Sequence, residues 1–285
     1  MQGKTLYVSD LDGTLLGADS RVSAVSAEII SGLTDRGALI TVATARTPAT
    51  VVPLLSQTRT TPPAVVMTGC AYWLRGEGCF RNPHFLPPGD VEAALAICGR
   101  HGVEPFVYVM ADNGTTLDVY HKSRRLNKAE ESFYLERSRL TLKKFHLSTP
   151  APARASDFTM LLYAMGDEAA VRAVAEDFTA HTDCSVCCYP DIFNPKVWNF
   201  EVFPPGISKA SAVEGLKEEL GAERLVVFGD SLNDLPMLAV ADVAVAMGNA
   251  LPEVKADADV VIEPNYTDAV ARFIARDFDG QMSRN

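Results

Sequence analysis

Three short apolar runs in this chain each stop abruptly at a polar cluster, and that pattern constrains the fold more than any other feature. Residues 5–9 (Thr-Leu-Tyr-Val-Ser) end in Asp10-Leu11-Asp12-Gly13-Thr14, residues 39–43 end in Thr44-Ala45-Arg46, and residues 224–228 end in Gly229-Asp230-Ser231-Leu232-Asn233-Asp234. The run at 39–43 is continuous in apolarity, as a strand covered on both faces must be. Helical periodicity fills the intervals. Residues 25–36 place Ile29, Ile30 and Leu33 on one face with Gly37 as a stop, and a second helix runs to about Leu55 before a third strand at 64–67. This βαβαβ order predicts a doubly wound parallel sheet of the Rossmann-like α/β kind.

The rhythm changes after a hairpin at 71–82. Pro83, Pro87 and Pro88 punctuate the chain, followed by a helix near 90–100, strands near 103–109 and 115–121, and a charged helix near 127–137. A Pro/Ala-rich loop at 148–155 precedes a strand, helix and strand at 158–164, 168–181 and 184–189. Beyond Lys196 the first rhythm resumes, with strands at 197–203, 224–228, 243–246 and 260–262, a helix at 208–220 and a last helix from Asp268. The expected organisation is a core of residues 1–82 and 191–285 interrupted by an inserted α/β domain, 83–190. The length, 285 residues, suits two domains.

Composition narrows the class. With 47% hydrophobic and 22% charged residues the balance is globular. The charge, 26 − 36 = −10, argues against nucleic acid or an anionic membrane as a partner. No apolar run approaches the roughly 18–20 residues that span a bilayer, and Leu6-Tyr7-Val8, cut short by Asp10, is too brief for a signal peptide. Six cysteines do not make a disulfide scaffold in a chain this long. The expectation is a reduced, cytoplasmic protein. Cys184, Cys187 and Cys188 contain a C-x-x-C spacing, but no second Cys or His pair stands nearby, so they read as part of a strand and its end rather than a zinc site. Trp73 and Trp198 read as packing residues.

Ligands of open α/β sheets bind outside the carboxyl ends of the strands, so the three strand-end clusters should share one site. Each is bland by itself. Asp-x-Asp-Gly is a common turn, Thr44-Ala45-Arg46 can cap a helix, Lys209 can be a solvated charge, and 229–234 can be a polar loop. Their common position at strand ends is what favours chemistry. Asp10, Asp12, Asp230 and Asp234 would bring up to four carboxylates into one crevice, where like charges ~4 Å apart repel by about 4 kcal/mol per pair at an effective dielectric near 20. They need a cation. An all-oxygen set without His or Cys favours Mg²⁺ over Zn²⁺. A magnesium site beside an anion pocket, with Thr44, Lys209 and the amides near Gly13 and Gly229 as candidates, points to phosphoryl chemistry. A carboxylate can itself attack phosphorus and leave an aspartyl-phosphate for water to hydrolyse.

Asp10-Leu11-Asp12-Gly13-Thr14-Leu15-Leu16, Thr44-Ala45-Arg46, Lys209 and Gly229-Asp230-Ser231-Leu232-Asn233-Asp234 resemble the four motifs of the haloacid dehalogenase (HAD) superfamily. Pro236-Met237-Leu238, Val245-Ala246-Met247-Gly248-Asn249-Ala250 and Lys255-Ala256 extend the similarity to the Cof-like subfamily of magnesium-dependent phosphatases, whose large α/β cap fits the insert. The resemblance implies Asp10 as nucleophile and Mg²⁺ ligand, and Asp12 as a ligand through its backbone carbonyl with its side chain as general acid, then base. It implies Thr44 and Lys209 as phosphate holders with Asn233 alongside. Asp230 would be the third protein contact to Mg²⁺, Asp234 a ligand or a residue just behind one, and Arg46 would face the substrate or the cap. Three departures stand out: Ala45 replaces a glycine, Thr68-Gly69-Cys70 stands where many relatives carry Asn-Gly-Ala, and Tyr266-Thr267-Asp268-Ala269-Val270-Ala271 replaces Asn-Asp-Gly-Val-Ala.

The implied partner is a small phosphorylated metabolite, a sugar phosphate or a phosphorylated cofactor, with Lys122, Arg124 and Arg125 of the cap as candidates for a second anionic group. A phosphomutase is the competing class, because phosphomannomutases share the Asp-x-Asp-Gly-Thr start. Dehalogenation has no use for Mg²⁺ or for Asp12 as an acid, and a phosphate-binding module without catalysis has no need of Asp12. Oligomeric state is not encoded legibly.

Overall fold

The computed structural model describes residues 4–123, 125–191 and 194–282, apart from the side chains of 153 and 154. The chain divides into two compact units, Met1–Glu77 with Ser208–Asn285, and Gly78–Ile207. In the first unit five strands run in the order Val260–Val261, Val243–Ala246, Ala222–Gly229, Lys4–Ser9, Leu39–Val42. Every neighbouring pair is parallel, and a single parallel bridge, Ala43 to Val65, continues the sheet to Ala64–Val66. From Lys4–Ser9 the chain moves outward in one direction. It re-enters beside the same strand at Ala222–Gly229 and then moves outward in the other. The reversal between these two strands is where ligand crevices form in such sheets.

The physical basis is plain in the central strands. Leu6, Tyr7, Val8 and Leu225, Val226, Val227, Phe228 are all buried, as required when helices cover both faces. Helix Ala24–Asp35 begins at Ser23, whose hydroxyl accepts the Ser26 N–H, and packs on helix Ala269–Met282. Helix Lys209–Glu219 begins at Ser208 with a capping box to Ser211, and packs on the short helix Leu235–Ala239.

The inserted unit is a six-stranded sheet in the order Ser185–Pro190, Trp198–Phe203, Thr159–Gly166, Phe106–Met110, Leu117–His121, Lys143–Leu147. It is antiparallel except for the last pair. Helices Pro88–Arg100 and Glu168–Thr179 supply Val91, Ile97, Val171 and Phe178 to a core with Val107, Leu162, Phe200 and Val202. Phe106, Phe133, Phe145 and Tyr163 form an aromatic cluster from alternate strand positions and helix Lys128–Arg137. Cys187 and Cys188 lie in the strand Ser185–Pro190, and the Arg172 guanidinium stacks on Trp198, 4.2 Å from its ring centroid.

Two details depart from the sequence expectation. The sequence rhythm places residues 197–203 in the core, but Trp198–Phe203 is hydrogen-bonded between two strands of the inserted sheet. Its alternation (Trp198, Phe200 and Val202 against Asn199 and Glu201) is that of a strand with one polar face, unlike the continuous apolar runs of the core. The strand Lys143–Leu147 went unpredicted because two lysines open it; Lys143 is nonetheless buried, its ammonium 5.0 Å from the Tyr108 ring centroid.

A fragment of residues 78–207 should therefore unfold cooperatively by circular dichroism. A fragment of residues 83–190, which lacks the strand between Ser185–Pro190 and Thr159–Gly166, should show no cooperative transition.

Candidate active site

Strand Lys4–Ser9 ends at Asp10, whose N–H still bonds the Phe228 carbonyl of the neighbouring strand at 3.0 Å. The chain then makes a wide turn closed by Leu16 N–H on the Leu11 carbonyl at 2.9 Å, with Gly13 at φ +78°. A side chain at Gly13 would be driven into the Asp230 carboxylate, so glycine is required there by both conformation and contact. The Thr14 hydroxyl donates to Asp230 Oδ1 at 3.0 Å across 216 positions of sequence. Gly229 is required on the other strand by contact alone: a Cβ there would meet Asp234.

Asp10, Asp230 and Asp234 each offer an oxygen within 4.8 Å of the others. Lys209 joins them from the first turn of its helix. It is 3% exposed, and its ammonium donates to Asp10 Oδ1 at 2.6 Å and to Asp234 Oδ1 at 2.8 Å. Asp234 Oδ2 accepts the main-chain N–H groups of Asp230 at 3.1 Å and Ser231 at 3.2 Å, which folds the loop back on itself. Three carboxylates against one ammonium leave a surplus of negative charge in a buried place. Burial pushes the Asp10 carboxyl up to about 7, with Lys209 pulling down and Asp234 pushing up. Burial and Asp234 push Asp230 up to about 6. Lys209 is held protonated despite its burial by Asp10 and Asp234. This donor set, all oxygen and short of positive charge, fits a hard divalent cation.

The fourth expected carboxylate stands apart. Asp12 lies outside this group, and its side chain takes a two-point bond from Arg46: Nε to Oδ2 and Nη2 to Oδ1, both 2.6 Å. That bond raises the Arg46 pKa. Thr44 is buried, its N–H on the Val65 carbonyl at 3.0 Å and its hydroxyl accepting the Arg46 N–H at 3.1 Å. Asn233 is exposed, and its Oδ1 accepts the Ser231 hydroxyl. In the inserted unit Lys122 and Arg125 are exposed loop residues; Arg124 lies outside the described residues.

Two supports escaped the sequence. Met67, Thr68 and Gly69 all have positive φ, at 52°, 57° and 100°. This costly turn donates Met67 N–H to the Arg46 carbonyl and Thr68 N–H to the Thr44 carbonyl, while Gly69 leaves no room for a side chain against Ser208. It thus braces Thr44, Arg46 and the start of the Lys209 helix together. Asn249 Nδ2 donates to the Gly13 carbonyl at 2.8 Å, and its Oδ1 accepts the Asn265 N–H at 2.9 Å. The glycine after the third strand was the one available signal for the first support.

The model of haloacid dehalogenase-like hydrolases matches residues 7–274. The chain belongs to this family. Among its relatives is the 5-amino-6-(5-phospho-D-ribitylamino)uracil phosphatase YitU of Bacillus subtilis (strain 168), 26% identical over 281 residues that cover 96% of this chain and 97% of the relative. Another is the HMP-PP phosphatase of Serratia proteamaculans (strain 568), 26% identical over 255 residues covering 88% and 86%. A crystal structure of a haloacid dehalogenase-like hydrolase from Bacteroides thetaiotaomicron superposes with a TM-score of 0.78 at 22% identity over 97% of this chain and 100% of that one, which is a likeness of fold. The superfamily and the α/β class expected from the motifs are thus met, and a phosphoric monoester hydrolase agrees with the names of the curated relatives. Among the described residues no helix is long and apolar enough to cross a membrane.

Both carboxyl shifts are upward, so without a cation the folded chain holds protons more tightly than the unfolded chain. The stability this contributes is complete below the ordinary carboxyl value of 3.8 and is lost as pH rises through about 7. In EDTA, the Tm of Asp10→Asn relative to wild type should therefore rise as pH goes from about 4 to about 7 and level off above that. A constant difference would contradict the proton bound at Asp10.

Proposed function

We propose that this chain is a Mg²⁺-dependent hydrolase of small phosphoric monoesters that works through an aspartyl-phosphate on Asp10. The observation that carries it is the Asp10–Asp230–Asp234 group, with Asp10 and Asp234 buried and Asp230 half-buried, and Lys209 bonded to two of its members. Asp10, Asp230 and the main-chain carbonyl of Asp12 would hold the ion. Asp234 completes the carboxylate group, and because its oxygens already take bonds from Lys209, Asp230 and Ser231, its part is to hold the loop as well. Mg²⁺ held there would supply the missing positive charge and polarise the phosphoryl group.

A carboxylate oxygen of Asp10 attacks phosphorus as the bond to the leaving oxygen breaks. The Asp12 carboxyl gives that oxygen its proton and then takes one from the water that opens the aspartyl-phosphate. Lys209 and the Thr44 hydroxyl hold the phosphoryl oxygens, with the exposed Asn233 as a further candidate to help. The charge that develops on the phosphoryl oxygens meets an ammonium that burial and two carboxylates keep protonated, a preorganised arrangement that needs no rearrangement during reaction. The similarity to phosphatases whose names denote phosphorylated small molecules supports a metabolite substrate. The inserted unit is proposed as the cap that selects it, with Lys122 and Arg125 as candidates for its second polar group.

Asp10→Asn should abolish phosphate release while circular dichroism and Tm show an intact fold. Asp12→Asn should slow hydrolysis of an alkyl phosphate by roughly 10²–10⁴. EDTA should remove activity and Mg²⁺ restore it. Full turnover in excess EDTA, or wild-type rates from folded Asp10→Asn, would remove the assignment; isomer formation from a hexose phosphate without phosphate release would favour a mutase.

A further inference from the structure

We infer that Arg46 is a positioning residue: its two-point bond keeps the Asp12 carboxyl turned away from the cation-binding carboxylates, and Asp12 exchanges one of those two bonds for the leaving oxygen when substrate binds. The inference rests on the proposed phosphatase chemistry and assigns a part that the family motif leaves open. Asp12 is two residues from Asp10, on a short side chain in a loop that also carries Gly13. An aspartate so close to a cation cradle has an obvious competing position, as a fourth carboxylate ligand, and there it could not serve the substrate. Asp12 is nevertheless outside the group formed by Asp10, Asp230 and Asp234.

What holds it out is Arg46, and Arg46 is itself fixed. Its N–H bonds Thr44 Oγ1 at 3.1 Å, and its carbonyl accepts the N–H of Met67, the first residue of the positive-φ turn, at 3.0 Å. Its side chain is 28% exposed against 45% for Asp12. The less exposed partner, pinned at both its main-chain N–H and its carbonyl, sets the position of the more exposed one. Both guanidinium bonds are 2.6 Å, and a planar fork matches one carboxylate orientation only. A lysine could reach Asp12 but could not fix its plane. The role is one of orientation, with substrate binding left to Thr44 and Lys209.

The test is a double-mutant cycle with R46Q and D12N on two substrates, an alkyl phosphate and an activated aryl phosphate whose leaving group needs no proton. R46Q should lower kcat on the alkyl phosphate by about 10²–10³, in the lower part of the range of acid–base catalysis, and on the aryl phosphate by less than about fivefold. KM should stay within about threefold on both. R46K should recover only part of the loss, and R46Q should add nothing in the D12N background. A second readout does not depend on turnover. In calorimetric titration with Mg²⁺, R46Q should bind several-fold more tightly than wild type because Asp12 is released to the ion. The same substitution in the D12N background should give a smaller gain, since only the lost positive charge remains.

A raised KM on both substrates with kcat preserved would overturn the inference in favour of substrate binding. So would equal kcat losses on both, or full additivity with D12N, which are the marks of a scaffold residue. A wild type inert toward both phosphates would instead remove the phosphatase chemistry itself, so the two failures are distinguishable.

Discussion

Gathering three carboxylates, Asp10 and Asp234 buried and Asp230 half-buried, around one buried ammonium is the constraint on which the rest of this structure depends. Taking charges out of water costs several kcal/mol each unless they are paired and hydrogen-bonded. Here Lys209 bonds Asp10 and Asp234, Thr14 bonds Asp230, and two main-chain N–H groups bond Asp234. The pairing is incomplete by design of composition: negative charge remains, and with it the attraction for a divalent cation. Nearby features serve that closeness. Gly13 and Gly229 lack a Cβ where one would strike a carboxylate. The positive-φ turn at Met67–Gly69 presses one strand end against the start of the Lys209 helix.

Sheet topology makes such a cluster possible without a long folded loop. Strands Lys4–Ser9 and Ala222–Gly229 are neighbours in space, so their carboxyl ends deliver Asp10 and Asp230 side by side. The chain between Glu77 and Ser208 can leave and return because it closes on its own core of Val91, Leu162, Phe178 and Phe200. An insert that satisfies its own apolar surface can vary without disturbing the parallel sheet, which separates the chemistry proposed for one unit from the selection proposed for the other.

Electrostatics also divides the labour among the aspartates. Asp10 and Asp230 sit where burial and a neighbouring carboxylate push protons on. Asp12 sits at the exposed side with a guanidinium partner of its own. Residues of one type, two positions apart, thereby acquire different surroundings and different proposed tasks, and the difference comes from what each one faces.

Much of this was readable before any coordinates. Strands such as Leu6-Tyr7-Val8 and Leu225–Phe228 are apolar throughout because both faces are covered, and the acidic residues that end them announce themselves by interrupting that run. That Asp10 and Asp230 end neighbouring apolar strands was legible from the runs they interrupt, and the structure brings them together with Asp234 and the helix-opening Lys209. The alternating strand Trp198–Phe203 was placed in the wrong unit, since local pattern reveals a strand but not its partners. The Arg46–Asp12 bond, the exclusion of Asp12 from the carboxylate group and the bracing turn at Met67–Gly69 came only from the tertiary structure. The reason is physical: periodicity and burial are properties of a stretch of chain, written in consecutive residues. Which side chain meets which across 34 or 216 positions depends on strand register and loop conformation, which only the packed molecule decides.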